Sequence, residues 1–229
     1  MEESMIYSIA CTRNAELDIT SQNLEHYFKR AGINHSWLVA EKSIFDAYAN
    51  EIEQISPRDQ DIVIMCHEDI EIWDDPQELK LQLDHCLDSH AGFIGVAGTT
   101  NLNRDAVWWD INQRKKGELR GFVWQGKDRS TFYPNYFGAP GRVTALDGCF
   151  LAASGKTLKS MNLRKPGHFT HSWDFYDLHY TLQAHKKGLE NYVVPIHILH
   201  NSPGEMIAER GWAENRKGFL RVEDLPIKC

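Results

Sequence analysis

The feature that most constrains this chain is the run Asp61 to Cys66, DIVIMC. It has the length of a strand and is apolar almost throughout, which suits a strand covered on both faces. The residues before it repeat one pattern. Met5 to Cys11 reads as a buried strand. Ile19 to Arg30 reads as a helix with Leu24, Tyr27 and Phe28 on one face and Gly32 as its stop. Ser36 to Ala40 is a second strand, and Ser43 caps a helix that runs to about Ile55 and is ended by Pro57. Strand, helix, strand, helix, strand in that order predicts a parallel sheet with right-handed crossovers.

Further along, Pro76 to Ser89 reads as a helix, Gly92 to Ala97 as a strand and Val143 to Ala153 as another strand. A short helix over Ser154 to Met161 follows, then a helix over Asp174 to Lys187 ended by Gly188, with Asp174 as its N-cap. Asn191 to Leu199 reads as the last clear strand. Residues 99–141 break the rhythm with Trp108, Trp109, several Gly and Asn, and the basic run Arg114-Lys115-Lys116. They read as a long loop plus a hairpin, with Gly121 to Gln125 as one strand. Such a segment is expected to be functional, here as a lid closing on a bound ligand. Residues 201–229 form a polar tail without a clear assignment. One α/β domain over residues 1–229 is expected.

Composition narrows the function. Hydrophobic residues make up 42% of the 229, enough for a sizeable core, and the formal charge of -7 leaves no basic footprint for nucleic acid. The five cysteines are scattered without a CxxC pair, so a reducing, cytoplasmic setting is expected, at most peripheral to the inner face of a membrane. Met1 to Met5 shows no signal-peptide pattern, and no run of about 18 apolar residues predicts a membrane span.

Four places can carry chemistry. Cys66-His67-Glu68-Asp69 follows the third strand, where open α/β sheets bind ligands. It reads either as a cluster of metal ligands or as a solvated turn leading to Glu71, Asp74 and Asp75. Asp177 lies in the first turn of a helix, whose dipole keeps a carboxylate ionised and able to take a proton; capping alone explains Asp174 and Asp177 equally. His200 ends a strand, as either a ligand or an ordinary surface histidine. Asp147-Gly148 interrupts an apolar strand. A buried Asp needs a partner and the Gly lets something approach the backbone, unless the pair is a β-bulge.

The order of these motifs resembles the family 2-like glycosyltransferases of GT-A fold, and within them a bacterial subgroup with HxD in place of DxD. Tyr176 to Gly188 is similar to the family's ED-x-D-L helix, Pro195 to His200 to its strand leading to a metal-binding His, and Ala145 to Phe150 to its acceptor-side DG strand. Asp46 to Asn50 is similar to its helix around an Asn near the nucleotide. The resemblance runs from about Met5 to Gly204. It implies a nucleotide-diphosphosugar transferase fold with a mostly parallel central sheet. His67, Asp69 and His200 would hold a divalent cation, Mn²⁺ or Mg²⁺, with Mn²⁺ favoured by the His67 imidazole. Asp177 would be the base of an inverting transfer, and Asp147 and Gly148 would lie near donor sugar or acceptor. Thr12, Arg13, Asn14, Glu41 and Asn50 would line the nucleotide pocket. The partners implied are a nucleotide-sugar donor and a glycan or lipid-linked acceptor, in surface-polysaccharide synthesis. The chain departs from the pattern in having His67 for the first Asp, Tyr176 for the Glu of the ED pair and His179 for the second Asp. A non-catalytic sugar-nucleotide or glycan binder of the same fold, a metal-dependent hydrolase built on His67, Asp69 and His200, and a structural partner in surface-polysaccharide assembly without a ligand are the competing readings.

Overall fold

A computed structural model describes residues 4–128, 131–202 and 210–229, with the side chains of residues 127 and 128 left aside. It opens as the pattern predicts: β1 (Ile6–Cys11), α1 (Ile19–Ala31), β2 (Asn34–Leu38), α2 (Ile44–Ile55) and β3 (Ile62–His67). Local chemistry sets these boundaries. Asp18 caps α1 by accepting from the Ser21 N–H at 2.9 Å, and Gly32 ends it in the left-handed conformation at φ 67°. Ser43 caps α2 through the Asp46 N–H. After β4 (Ile70–Ile72), α3 (Pro76–Leu83) begins with a reciprocal Asp75–Glu78 capping box and with Pro76 where no N–H is needed.

The middle of the chain is more structured than a long loop. It contains β5 (Ala91–Gly95), β6 (Ala97–Thr99), β7 (Asn101–Leu102), α4 (Ile111–Lys115), β8 (Leu119–Asp128), β9 (Thr131–Gly138) and β10 (Gly141–Val143). The expected hairpin is present as β8 paired with β9, and it is longer than the Gly121 to Gln125 strand alone. Then come β11 (Ala145–Leu146), β12 (Phe150–Ser154), α5 (Gly155–Ser160), α6 (Tyr176–Lys186), β13 (Glu190–Val193) and β14 (Ile198–His200). The tail folds as α7 (Arg210–Val222) and β15 (Ile227–Lys228). Pro203 and Gly204, at the end of the stretch that carries the resemblance, lie outside the described residues.

Seven strands form the main sheet in the order β10-β13-β5-β12-β3-β1-β2. Strands β2, β1, β3, β5 and β13 run one way; β12 and β10 run against them. The fold is therefore α/β with a central sheet that is parallel for the most part. A second sheet, β11-β6-β8-β14-β4 with β9 beside β8, takes up the strands that leave the first.

Three expected strands are in fact broken. Gly92 to Ala97 divides between β5 and β6, Asn191 to Leu199 between β13 and β14, and Val143 to Ala153 among β10, β11 and β12. An apolar run looks the same whether it stays in one sheet or passes into another, because burial on both sides is the only signal. The crossings from β3 to β4, β5 to β6, β13 to β14 and β11 to β12 all fall at one end of the main sheet, the carboxyl end of its parallel strands. That is where a ligand site is expected in an open α/β sheet.

Beneath the crossings, β3 is buried along Ile62–Cys66. Phe45 and Tyr48 of α2 and Tyr180 of α6 are fully buried, as are Phe93 and Phe150. Each such side chain contributes roughly 1.5–3 kcal/mol by leaving water. The two helices thereby become a rigid floor for the strand ends.

Candidate active site

Three side chains converge where β3 ends. His67 is its last residue, Asp69 sits in the turn to β4, and His200 ends β14. The antiparallel pairing of β14 with β4 sets His200 opposite Ile70, and the Asn201 N–H donates to the Asp69 carbonyl at 2.9 Å. His67 Nδ1 and His200 Nε2 are 3.3 Å apart, and Asp69 Oδ1 lies 3.3 Å from His200 Nε2 and 3.9 Å from His67 Nδ1. Burial lowers the pKa of His67, with the neighbouring His200 charge adding to it against the pull of Asp69. Burial alone would also depress His200, but the Asp69 charge and hydrogen bond outweigh it and hold His200 above its ordinary value. Asp69 is held low by the two imidazoles, against its burial. Of the two imidazoles, His200 is therefore the one that favours its protonated form.

A second group faces the first. Asp147 and Gly148 form the turn between β11 and β12, and Asp147 Oδ1 accepts from the Cys149 N–H at 2.9 Å. Asp177 lies in the first turn of α6 and accepts from the Leu178 N–H at 2.8 Å. Burial first, and the Asp147 charge second, push Asp177 from 3.8 up to about 7, against the pull of backbone N–H groups. A carboxyl poised near neutrality is suited to take and release a proton. Asp174 does not cap α6. Phe175 occupies the cap position with φ 69° and no side-chain hydrogen bond, while the Asp174 carbonyl accepts from Asn215 Nδ2 of α7. Phe175 keeps this uncommon backbone because it is buried against Phe169, Trp212 and Phe219.

Both groups open into one cavity of about 550 Å³. Arg13 and Asn14 form part of its wall, as do His67, Asp69, His200, Asp147, Gly148 and Asp177. Arg13 lies over the ring of Trp173, 4.7 Å from its centroid. Thr12 is buried behind the wall, where its hydroxyl donates to Glu68 Oε1 at 2.8 Å, so its reach to the cavity runs through Glu68. Glu41 is tied to the same corner by its N–H to the Thr12 carbonyl at 3.1 Å, but is not part of the wall. Asn50 lies apart from these residues. It is exposed, accepts from Arg164 at 2.6 Å and lies away from the cavity, because α2 carries it on the face turned from the strand ends.

Residues 21–223 match the glycosyltransferase-like family. The protein belongs to that family. No curated protein matches it in sequence. Among solved structures it is similar to A197 from STIV, with a TM-score of 0.50 at 10% identity over 86% of this chain and 85% of that one. It is also similar to GalNAc-T7 with UDP, GalNAc and Mn²⁺, with a TM-score of 0.54 at 12% identity over 95% of this chain. The match spans 48% of that longer protein. At such identities these likenesses speak to the fold.

For a glycosyltransferase-like chain, the His67–Asp69–His200 corner fits a divalent cation. One ligand atom from each residue lies within 4.8 Å of the others. Asp69 Oδ1 is sealed from solvent and its polar neighbours are the two imidazoles, His200 Nε2 at 3.3 Å and His67 Nδ1 at 3.9 Å, so the buried carboxylate oxygen and both ring nitrogens face one another as a ligand set would. Several wall residues were not singled out from the sequence as site residues: Arg114, Gln125, Phe137 and Trp212. Trp108, Trp109 and Trp212 form a chain of ring contacts along the wall, at 5.6 and 5.8 Å between successive centroids. Trp212 and Phe219, seven apart and both buried, are the helical signal in the tail that marks α7.

Proposed function

We propose that this protein is a divalent-metal-dependent, inverting glycosyltransferase that moves a sugar from a nucleoside diphosphate carrier to a hydroxyl of a glycan or lipid-linked acceptor. The observation that carries this reading is the meeting, in one cavity, of a His-Asp-His corner and a carboxyl poised near neutral pH. A cation held by His67, Asp69 and His200 would supply charge neutralisation to the departing diphosphate.

The chain's own groups account for the rest. Asp177 takes the proton of the attacking hydroxyl, and its neighbour Asp147 keeps its affinity for that proton high. Arg13 and Asn14, at the end of β1, meet the nucleotide, with Glu41 behind them. The guanidinium of Arg114 in the cavity wall is fixed over the Phe137 ring and by Asn135, and adds positive charge to an otherwise acidic chain. The indole wall gives flat apolar faces that suit a pyranose ring and keep water from the reacting centre.

The test is calorimetry with UDP-, GDP- and dTDP-sugars, with Mn²⁺ or with a chelator, followed by an assay for release of the nucleotide. The reading requires affinity for one donor that depends on the metal. Tight zinc with no nucleotide affinity would turn the site into that of a metal-dependent hydrolase. Donor affinity without turnover on any acceptor or water would make the protein a binder of the same fold.

A further inference from the structure

The Tyr176 hydroxyl has one proton and two polar neighbours. It lies 2.8 Å from the Gly148 carbonyl oxygen and 2.8 Å from His67 Nε2. A carbonyl only accepts, so the phenolic proton goes to Gly148, and the contact with His67 is made only if Nε2–H donates to the phenol oxygen. His67 Nδ1 is then the bare nitrogen, and it is the one that faces His200 Nε2 and Asp69 Oδ1. The phenol cannot swing away. Tyr176 is buried, with Phe45, Tyr48 and Tyr180 around its ring at 6.3, 5.8 and 5.9 Å. Gly148 makes the approach possible, because a Cβ there would stand 2.3 Å from the Tyr176 hydroxyl.

We infer that Tyr176 is a positioning residue that fixes the Nε2–H tautomer of His67 and so presents Nδ1 to a cation, with Gly148 as the gap it needs. Two departures from the sequence resemblance, His67 and Tyr176, are thereby one hydrogen-bonded pair. The inference rests on the reading of the His67–Asp69–His200 corner as a cation site. Partners of this kind set ligand orientation and basicity, and their loss typically weakens metal binding by about 10–100-fold.

The decisive measurement is long-range ¹H–¹⁵N NMR of the chelator-treated protein at pH 8, with the His67 signals identified by their loss in His67→Gln. The parent should show His67 protonated at Nε2. Tyr176→Phe should give a mixture of tautomers and bind Mn²⁺ at least about 10-fold more weakly. Gly148→Ala, which keeps the tyrosine but displaces its hydroxyl, should do the same. A parent protein with His67 protonated at Nδ1, or a folded Tyr176→Phe that binds Mn²⁺ as the parent does, overturns the inference. If Tyr176→Phe does not fold, the parent spectrum decides alone. A protein with this tautomer and this Mn²⁺ dependence that transfers no sugar would refute the proposed function and leave the inference standing.

Discussion

Replacing Asp177 with Asn tests the base and its environment together. In the folded chain the carboxyl is raised from 3.8 to about 7, so folding takes up a proton between those two values. The penalty is absent below the unfolded pKa, grows through the interval and is complete above about pH 7. Three units at 1.36 kcal/mol each set an upper limit of about 4 kcal/mol, and solvent reaching the carboxyl from the cavity reduces it to about 2–3 kcal/mol. Asparagine carries no such penalty. In chelator, urea unfolding at pH 5 and pH 8 should therefore show Asp177→Asn gaining on the parent by about 2 kcal/mol as the pH rises. Sugar transfer by the same variant should fall by about 10²-fold or more, since an amide takes no proton. In the parent, transfer should climb with pH as Asp177 ionises. A variant less stable than the parent at pH 8, or equal to it at both pH values, refutes the account of burial and Asp147 as the cause. A folded variant with the parent's transfer rate moves the base elsewhere, with Asp174 or Asp147 next in line.

Cation binding should release protons to an extent that grows as the pH falls, because an imidazole must be bare to ligate and His200 is held above its ordinary value by Asp69. Mn²⁺ titrations in buffers of different ionisation enthalpy measure it, and the affinity should rise with pH; a heat independent of buffer would contradict it. Asn50→Ala should leave nucleotide and metal affinity at the parent value and cost no more than about 1 kcal/mol, since it removes only a surface hydrogen bond to Arg164. Any loss of donor affinity there would restore Asn50 to the site. Trp212→Ala should destabilise the fold by about 3–5 kcal/mol, because this buried indole packs α7 against Trp109 and Phe175. Chemical denaturation checks it, and a loss below about 1 kcal/mol would show that α7 is held by other contacts.

The first part of the fold was legible because its signals are local. Asp18, Ser43 and Gly32 fix helix ends by bonds to residues within one turn, and the apolar run of β3 needs no knowledge of its neighbours. The same is true of His67 and Asp69, which one turn brings together. The crossings between sheets were not legible, since Ala97 and Ile198 look like continuations of the strands before them. Asp174 has the sequence of a cap, yet the packing of Phe175 under α7 takes the helix start one residue further. Asn50 lies on the helix expected to meet the nucleotide, but its position around the axis of α2 turns it to Arg164. Sequence alone therefore determined an α/β chain with a mostly parallel sheet and two polar motifs at strand ends. The family resemblance groups His200 with His67 and Asp69, but only the tertiary structure gave the distances that bring His200 to the first motif, and only it decided that Tyr176 and Gly148 join that motif to the second. Those contacts span 133, 109 and 28 residues, and no local bond encodes them. They exist because strand pairing and a close-packed core bring distant segments within hydrogen-bond reach.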